Sequence, residues 1–496
     1  MGCFGGPCTL WSFCKSSAYS TSRQEVDSNM HDRGKSTVGS CIRQRHHGLF
    51  PLLDHEVCHL TKSRSAPSEM IRKVTPSKHN NMPISTVKML SAREANFSGK
   101  GRFSLADRCH VLSRYLPVNA RCRIDRMDTR AYVSQFSADG TLFFAGFQGS
   151  HIRIYNVDNV WKVQKDILAK SLRWTITDTS LSPDQRYLVY ASMSPVVHIV
   201  NVGSAVAESH ANITEIHDGL NFSDDDGDGD FGIFSVKFST DGRELVAGTG
   251  DHAIYVYDLE ANKPSLQISA HLCDVNTVAF ADETGHLIYS GSDDNLCKVW
   301  DRRCLNDSRR AAGVLTGHLE GITFLDSRGD GRYFISNGKD QTTKLWDIRR
   351  MSCNEYMSYS YSVKQRTSNW DYQWMDYPAS ERHRKHPSDQ SLATYRGHSV
   401  LRTLIRCYFS PEYSTGQKYI YTGSNNGNIY IYDVVTGAQV AKLDYHDLTV
   451  RDCSWHPTYP MLVSSSWDGM IVQWEFLGNG KASAMVRKKK RRRLGY

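Results

Sequence analysis

No stretch of this chain approaches 18 consecutive apolar residues, so nothing in it reads as a membrane-spanning helix. The start lacks a secretory hydrophobic region. The 13 cysteines form an odd, scattered set without a CxxC pair, which speaks against a disulfide framework or a zinc site and for a reducing compartment. A phosphate-cradling glycine loop, a metal-ligand cluster and a nucleophile–base pair outside the repeats are all missing, so an enzyme is not expected, nor any cofactor or metal. Distributed positive charge is missing too. The formal net charge is +8, yet seven basic residues stand together at Arg487–Arg493, leaving +1 for the rest. A body so nearly neutral gives no reason to expect direct nucleic-acid or membrane partners.

What the chain does have is repetition. ISNGKDQTTKLWDIR at 335–349 echoes IYSGSDDNLCKVWDRR at 288–303 and VSSSWDGMIVQWEF at 463–476. This is the strand–turn–strand core of a WD repeat. An aromatic–acid dyad, or its degenerate form, marks the end of each third strand: Tyr155–Asn156, Val200–Asn201, Tyr257–Asp258, Trp300–Asp301, Trp346–Asp347, Tyr432–Asp433 and Trp474–Glu475. Five of the six intervals run from 42 to 57 residues, the spacing of propeller blades with one modest insertion. The sixth, of 86 residues, leaves room for an eighth blade, but 351–390 is rich in Ser, Tyr, Arg and His and shows no alternating strands. The expected fold is all-β, a seven-bladed WD40 β-propeller over 119–478 with an insertion at 351–394. The last third strand ends near Phe476, so the missing outer strand of the final blade is expected from residues near 119–127, closing the ring.

The polar marks recur in register. His271, Ser290, Asp294 and Trp300 share their spacing with His318, Ser336, Asp340 and Trp346, and with His446, Ser464, Asp468 and Trp474. The sixth blade offers His398, Thr422, Asn426 and Tyr432. Each set can form one hydrogen-bonded chain that ties a blade together. A Ser–His–Asp catalytic reading fits poorly, because the constellation repeats with the blades.

Outside the propeller, 1–86 is Ser- and base-rich and reads as disordered. Gly2 and Cys3 offer lipidation sites, although Gly6 stands where a myristoylation signal wants Ser or Thr. Residues 87–118 form a pre-propeller segment whose stretch 103–116 reads as a helix. Ser104 is its N-cap, Asp107 completes a capping box, and Pro117 ends it. Leu105, Cys109, Leu112 and Leu116 share one face, which fits a helix lying on its own propeller or one entering a partner's groove. The acidic loop 224–230 lacks calcium-loop spacing. NWDYQWMDYP (369–378) either folds back or forms an aromatic patch. The tail 479–496 carries Arg487, Lys488, Lys489, Lys490, Arg491, Arg492 and Arg493, whose short isolated run favours nuclear import.

Two dyads extend to W-D-x-R: Trp300-Asp301-Arg302-Arg303 and Trp346-Asp347-Ile348-Arg349. This resembles the WDxR box of substrate receptors for cullin-4 RING ubiquitin ligases. VNTVAFAD (275–282), CKVWDRR (297–303), 317–350, NWDYQW (369–374), YRGHSVLRTLIRCYFSP (395–411), VRDCSWHP (450–457) and the stretch from MLSAREANF to YLPVN before the propeller together resemble the cullin-4-associated factor 11 family, also called WD-repeat protein 23, in its plant branch. The resemblance covers about 87–476. It implies a non-catalytic receptor that docks to the damaged-DNA-binding adaptor, and through it to cullin-4 and a RING protein, and presents a protein substrate for ubiquitination. It further implies that Arg303 and Arg349, with their boxes and the helix bearing Leu105, Leu112 and Leu116, face the adaptor. From the basic tail the protein is expected in the nucleus and also the cytoplasm. The competing expectation is a WD scaffold of a nuclear complex with no ligase link.

Overall fold

A computed structural model describes residues 56–65, 86–95, 101–202, 216–223, 231–304, 310–352 and 370–476. The lipidation sites, the acidic loop 224–230 and the basic tail lie outside the described residues.

The local chemistry of the hairpins explains why strands form where they do. In FSADG, Ser137 Oγ donates to Asp139 at 2.6 Å, and Asp139 accepts the Thr141 N–H at 3.0 Å. Ser182–Asp184 and Ser239–Asp241 repeat this turn in blades two and three. Gly140 and Gly242 take the positive φ that it requires (82° and 74°). Between turns, six-residue strands such as Leu142–Phe147 and Tyr333–Gly338 are buried throughout, because blades cover both of their faces.

Seven four-stranded antiparallel sheets result, spanning 131–168, 178–221, 233–269, 275–315, 322–396, 407–444 and 450–475. The seventh takes its outer strand from the other end of the propeller. Asn119–Arg126 pairs antiparallel with Met470–Glu475, from Asn119↔Glu475 to Arg126↔Met470. The ring is therefore closed by both ends of the repeat region, as its missing strand required. No eighth sheet occurs among the described residues. The described part of the insertion, 370–392, instead carries turns that lead to the start of Ala393–Arg396.

Among the described residues three helices precede the ring: α1 (Cys58–Ser65), α2 (Thr86–Glu94) and α3 (Leu105–Leu112). A short fourth, α4 (Glu412–Thr415), follows the innermost strand of blade six. The expected cap of α3 is present: Asp107 N–H donates to Ser104 Oγ at 3.1 Å, and Ser104 Oγ donates to the Asp107 carboxylate at 2.7 Å. The helix ends four residues before the predicted stop at 116. Ser113 caps it, and the Arg114 and Tyr115 N–H groups turn back to Val111 and Leu112. Pro117 disfavours helical backbone at the residue before it, so the chain must leave the helix early. Within 1–86, expected to be disordered, the structure describes 56–65 as helical, with Val57 and Cys58 buried and Val57 in the apolar core between blades five and six.

Candidate docking rim and central channel

In each blade the innermost and third strands both run antiparallel to the second, and so parallel to each other. The ends of the third strands, which carry the two WDxR boxes, therefore face the same rim as the ends of the innermost strands. Trp300 and Trp346 are fully buried and cannot meet a partner themselves, contrary to a direct docking role; they anchor the strand from which the arginine emerges. Arg303 is exposed and forks onto its own Asp301, Nε to Oδ1 at 2.9 Å and Nη2 to Oδ2 at 2.7 Å. Hydrogen bonding from Arg303 holds the Asp301 carboxyl below its usual range. Arg349 repeats the fork on Asp347, with Nη2 at 2.9 Å. Asp347 is more buried, and burial lifts its carboxyl above the usual range despite Arg332. These forks hold two guanidinium groups on adjacent blades outward from the rim.

A residue missed by sequence reasoning joins the second box. Glu56 Oε2 accepts from both Arg332 and Arg349, and from Tyr333 Oη at 3.1 Å. No local signal marks Glu56, since only the burial of Val57 and Cys58 brings it there.

Helix α3 sits on this rim. Cys109 Sγ donates to the carbonyls of Glu412 and Tyr413 at 3.3 Å, and Tyr419 Oη donates to the Ser113 carbonyl at 3.0 Å. Arg108 lies 3.8 Å over the Tyr413 ring. Leu116 packs into the cluster of Tyr419, Trp455 and Trp474, and Leu112 is half-buried, whereas Leu105 is 45% exposed. The helix therefore lies on its own propeller through Cys109, with Leu116 anchoring the chain just after it, and Leu105 stays exposed.

The repeated polar sets form as spaced. In blade four, Trp300 Nε1 donates to Ser290 Oγ at 2.9 Å, Ser290 stands 2.7 Å from His271 Nε2, and His271 Nδ1 lies 2.8 Å from Asp294. Blade five matches it through Trp346, Ser336, His318 and Asp340. Blade seven does so through Trp474, Ser464, His446 and Asp468. One directional chain satisfies every member: indole N–H to serine, serine O–H to Nε2, and Nδ1–H to carboxylate. The three serines are fully buried and already hold an indole, so none can reach a substrate as a nucleophile. Blade six departs from the expectation. Tyr432 Oη reaches His398 Nδ1 directly at 3.1 Å, Thr422 turns to the Arg406 carbonyl, and His398 Nε2 meets Asn337 of blade five. A phenol ends in a group that both donates and accepts, so it takes the histidine without an intervening hydroxyl.

The channel holds a second unpredicted network. Arg406 of blade six reaches across to blade two, donating to Asp178 at 2.8 Å and to the Thr177 carbonyl at 2.9 Å. Lys237 of blade three meets the same Asp178 at 2.8 Å, and Arg451 of blade seven donates to Thr177 and Tyr132. Burial alone would raise the Asp178 carboxyl, but Arg406 and Lys237 reverse that and hold it at about 2. Among the described residues no cluster of three metal-ligating side chains occurs, and no helix is long and apolar enough to cross a membrane.

Closed four-stranded blades tied by His–Ser–Asp–Trp chains define a WD-repeat protein. The family described as "WD domain, G-beta repeat" matches residues 224–258, 262–301, 310–347, 389–433 and 437–475, the blades in which the repeat is least degenerate. The chain is 65% identical over 467 residues to a LEC14B homolog of Prunus armeniaca, covering 94% of this chain and 97% of the relative. It is 68% identical over 431 residues to the LEC14B protein of Lithospermum erythrorhizon, covering 87% and 90%. It is 37% identical over 408 residues to the DDB1- and CUL4-associated factor 11 homolog of Caenorhabditis elegans, covering 80% and 69%. The chain belongs to the WD-repeat family that these LEC14B proteins and DDB1- and CUL4-associated factor 11 homologs form.

Proposed function

We propose that this protein is a non-catalytic substrate receptor of a cullin-4 RING ubiquitin ligase, docking to the DDB1 adaptor and presenting a target protein. The observation that carries the reading is the pair of exposed arginines, Arg303 and Arg349, held outward on one rim beside a helix seated on that rim. Relatives named DDB1- and CUL4-associated factor 11 homolog support it. The propeller contributes proximity: it fixes a target near the ubiquitin-charged enzyme and raises the effective concentration of the target's lysines. The rim opposite the boxes is left for the target. The Arg487–Arg493 run would carry the protein to the nucleus.

The reading is tested by reconstitution. Purified chain, DDB1, cullin-4 and a RING protein should co-elute as one complex on size exclusion, and R303A/R349A should elute apart while keeping its thermal transition. A well-folded wild type that never joins the complex would favour a WD scaffold without a ligase link.

A further inference from the structure

Arg406 and Arg451 reach across the central channel to Asp178, Asp452 and the Thr177 carbonyl, and beside this ionic network lies a cup of about 440 Å³. The cup is walled by the ends of the innermost strands, so by strand polarity it opens on the rim of Arg303 and Arg349.

Its walls are aromatic: Phe136, Phe238, Phe280, Phe324, Tyr408 and Trp455. Phe324 meets Tyr408 at 5.1 Å between ring centroids, Tyr408 meets Tyr421 at 5.6 Å, and Tyr421 meets Trp455 at 5.7 Å, a continuous π surface. Such a surface favours cations, and the protein already uses it so, with Arg406 lying 5.0 Å over the Phe324 ring.

Three charged side chains line the cup: Lys237, Arg406 and Asp326. The two cations are met from behind by the buried Asp178 and Asp452. Asp326 accepts the Phe409 N–H at 2.8 Å, and no ion pair to it exists among the described residues. Asp326 is thus the one carboxylate that lines the cup, and the cation nearest it, Lys237, is paired with Asp178.

We propose that this cup binds a cationic side chain, arginine or lysine, presented by the protein that docks against this rim. Aromatic walls take the aliphatic stem and the face of the cation, and Asp326 takes its N–H donors. Burial lifts the Asp326 carboxyl to about 7 against the pull of the Phe409 N–H and Lys237. Occupancy by a cation would favour the carboxylate, so binding strengthens as pH rises through that value.

The test uses full-length protein and two blocked pentapeptides, one with a central arginine and one with the neutral isostere citrulline, titrated calorimetrically. The arginine peptide should bind about tenfold tighter than the citrulline peptide near pH 8. That margin should shrink near pH 6 and vanish in Asp326→Asn, whose thermal transition confirms that it is folded. Equal binding of the two peptides, no binding of the arginine peptide near pH 8, or an unchanged margin in D326N would each overturn the proposal. No adaptor is present in these titrations, so they stand or fall apart from the receptor reading.

Discussion

At the residue scale, stability rests on groups that hold two partners at once. Ser336 Oγ accepts from Trp346 and stands in reach of His318 Nε2, all three buried. Ser336→Ala strands both partners, and each unsatisfied buried group costs about 1–3 kcal/mol. We expect S336A to lose about 2 kcal/mol or more in denaturant unfolding, with little change on substituting an exposed serine. Two carboxylates set opposite pH dependences. Asp178 titrates below its unfolded value, so its contribution is present above about pH 4 and is lost as pH falls towards 2. Asp326 titrates above its unfolded value, so its contribution is present below about pH 4 and is lost as pH rises through about 7. D326N should therefore match the wild-type melting temperature near pH 4 and exceed it near pH 8; the reverse order would show that Asp326 is stabilised as the anion. The three tetrads were legible because their spacing repeats with the blades. The channel ions were not, although a signal existed: Lys237, Arg451 and Asp452 put charges inside innermost strands, and Arg406 stands just before one. Only the ring brings such charges face to face.

At the scale of elements, the closing strand decides whether the ring exists. Met127 N–H donates to the Gly469 carbonyl at 2.9 Å, and Gly469 sits at φ 74° with its α-carbon against the Met127 carbonyl. A Cβ there collides with backbone that cannot retreat. Gly469→Ala should broaden the thermal transition and lower its midpoint by several degrees, whereas the exposed turn glycine Gly329, whose Cβ meets nothing, should tolerate alanine at least in space. A chain beginning at residue 128 lacks Asn119–Arg126 and should show no cooperative unfolding at all. Closure was readable because the repeat count left one strand missing. Helix α3 was readable from Ser104, Asp107 and its apolar spacing, but its length was set by Pro117 and by Cys109 seating on α4. Helix α1 was not readable: in a Ser- and base-rich stretch, two buried residues, Val57 and Cys58, make too brief a pattern to show a period. The insertion divided between the two readings open to it. Trp370 and Tyr377 pack edge to face at 4.9 Å and Tyr377 is buried, yet Trp374 remains 82% exposed.

At the scale of the molecule, seven blades place two arginines, a seated helix and an aromatic cup on one rim. Replacing Arg487–Arg493 with alanines should shift a fluorescent fusion from nucleus to cytoplasm while leaving the propeller's thermal transition intact; an unchanged nuclear signal would remove the import role. The number of blades was legible in the dyads, and the rim of the boxes followed from strand direction alone. Which groups crowd that rim was not legible, because Glu56 reaches Arg349 from almost 300 residues away. The proposed function turns on whether the rim bearing Arg303 and Arg349 meets the DDB1 adaptor. The most direct measurement is the affinity of purified full-length chain for DDB1, wild type beside R303A/R349A, with melting temperatures recorded for both. The expected result is tight binding by the wild type and a loss of about tenfold or more in the double variant at an unchanged melting temperature. Equal affinity of the two proteins, or no binding by a folded wild type, would contradict it.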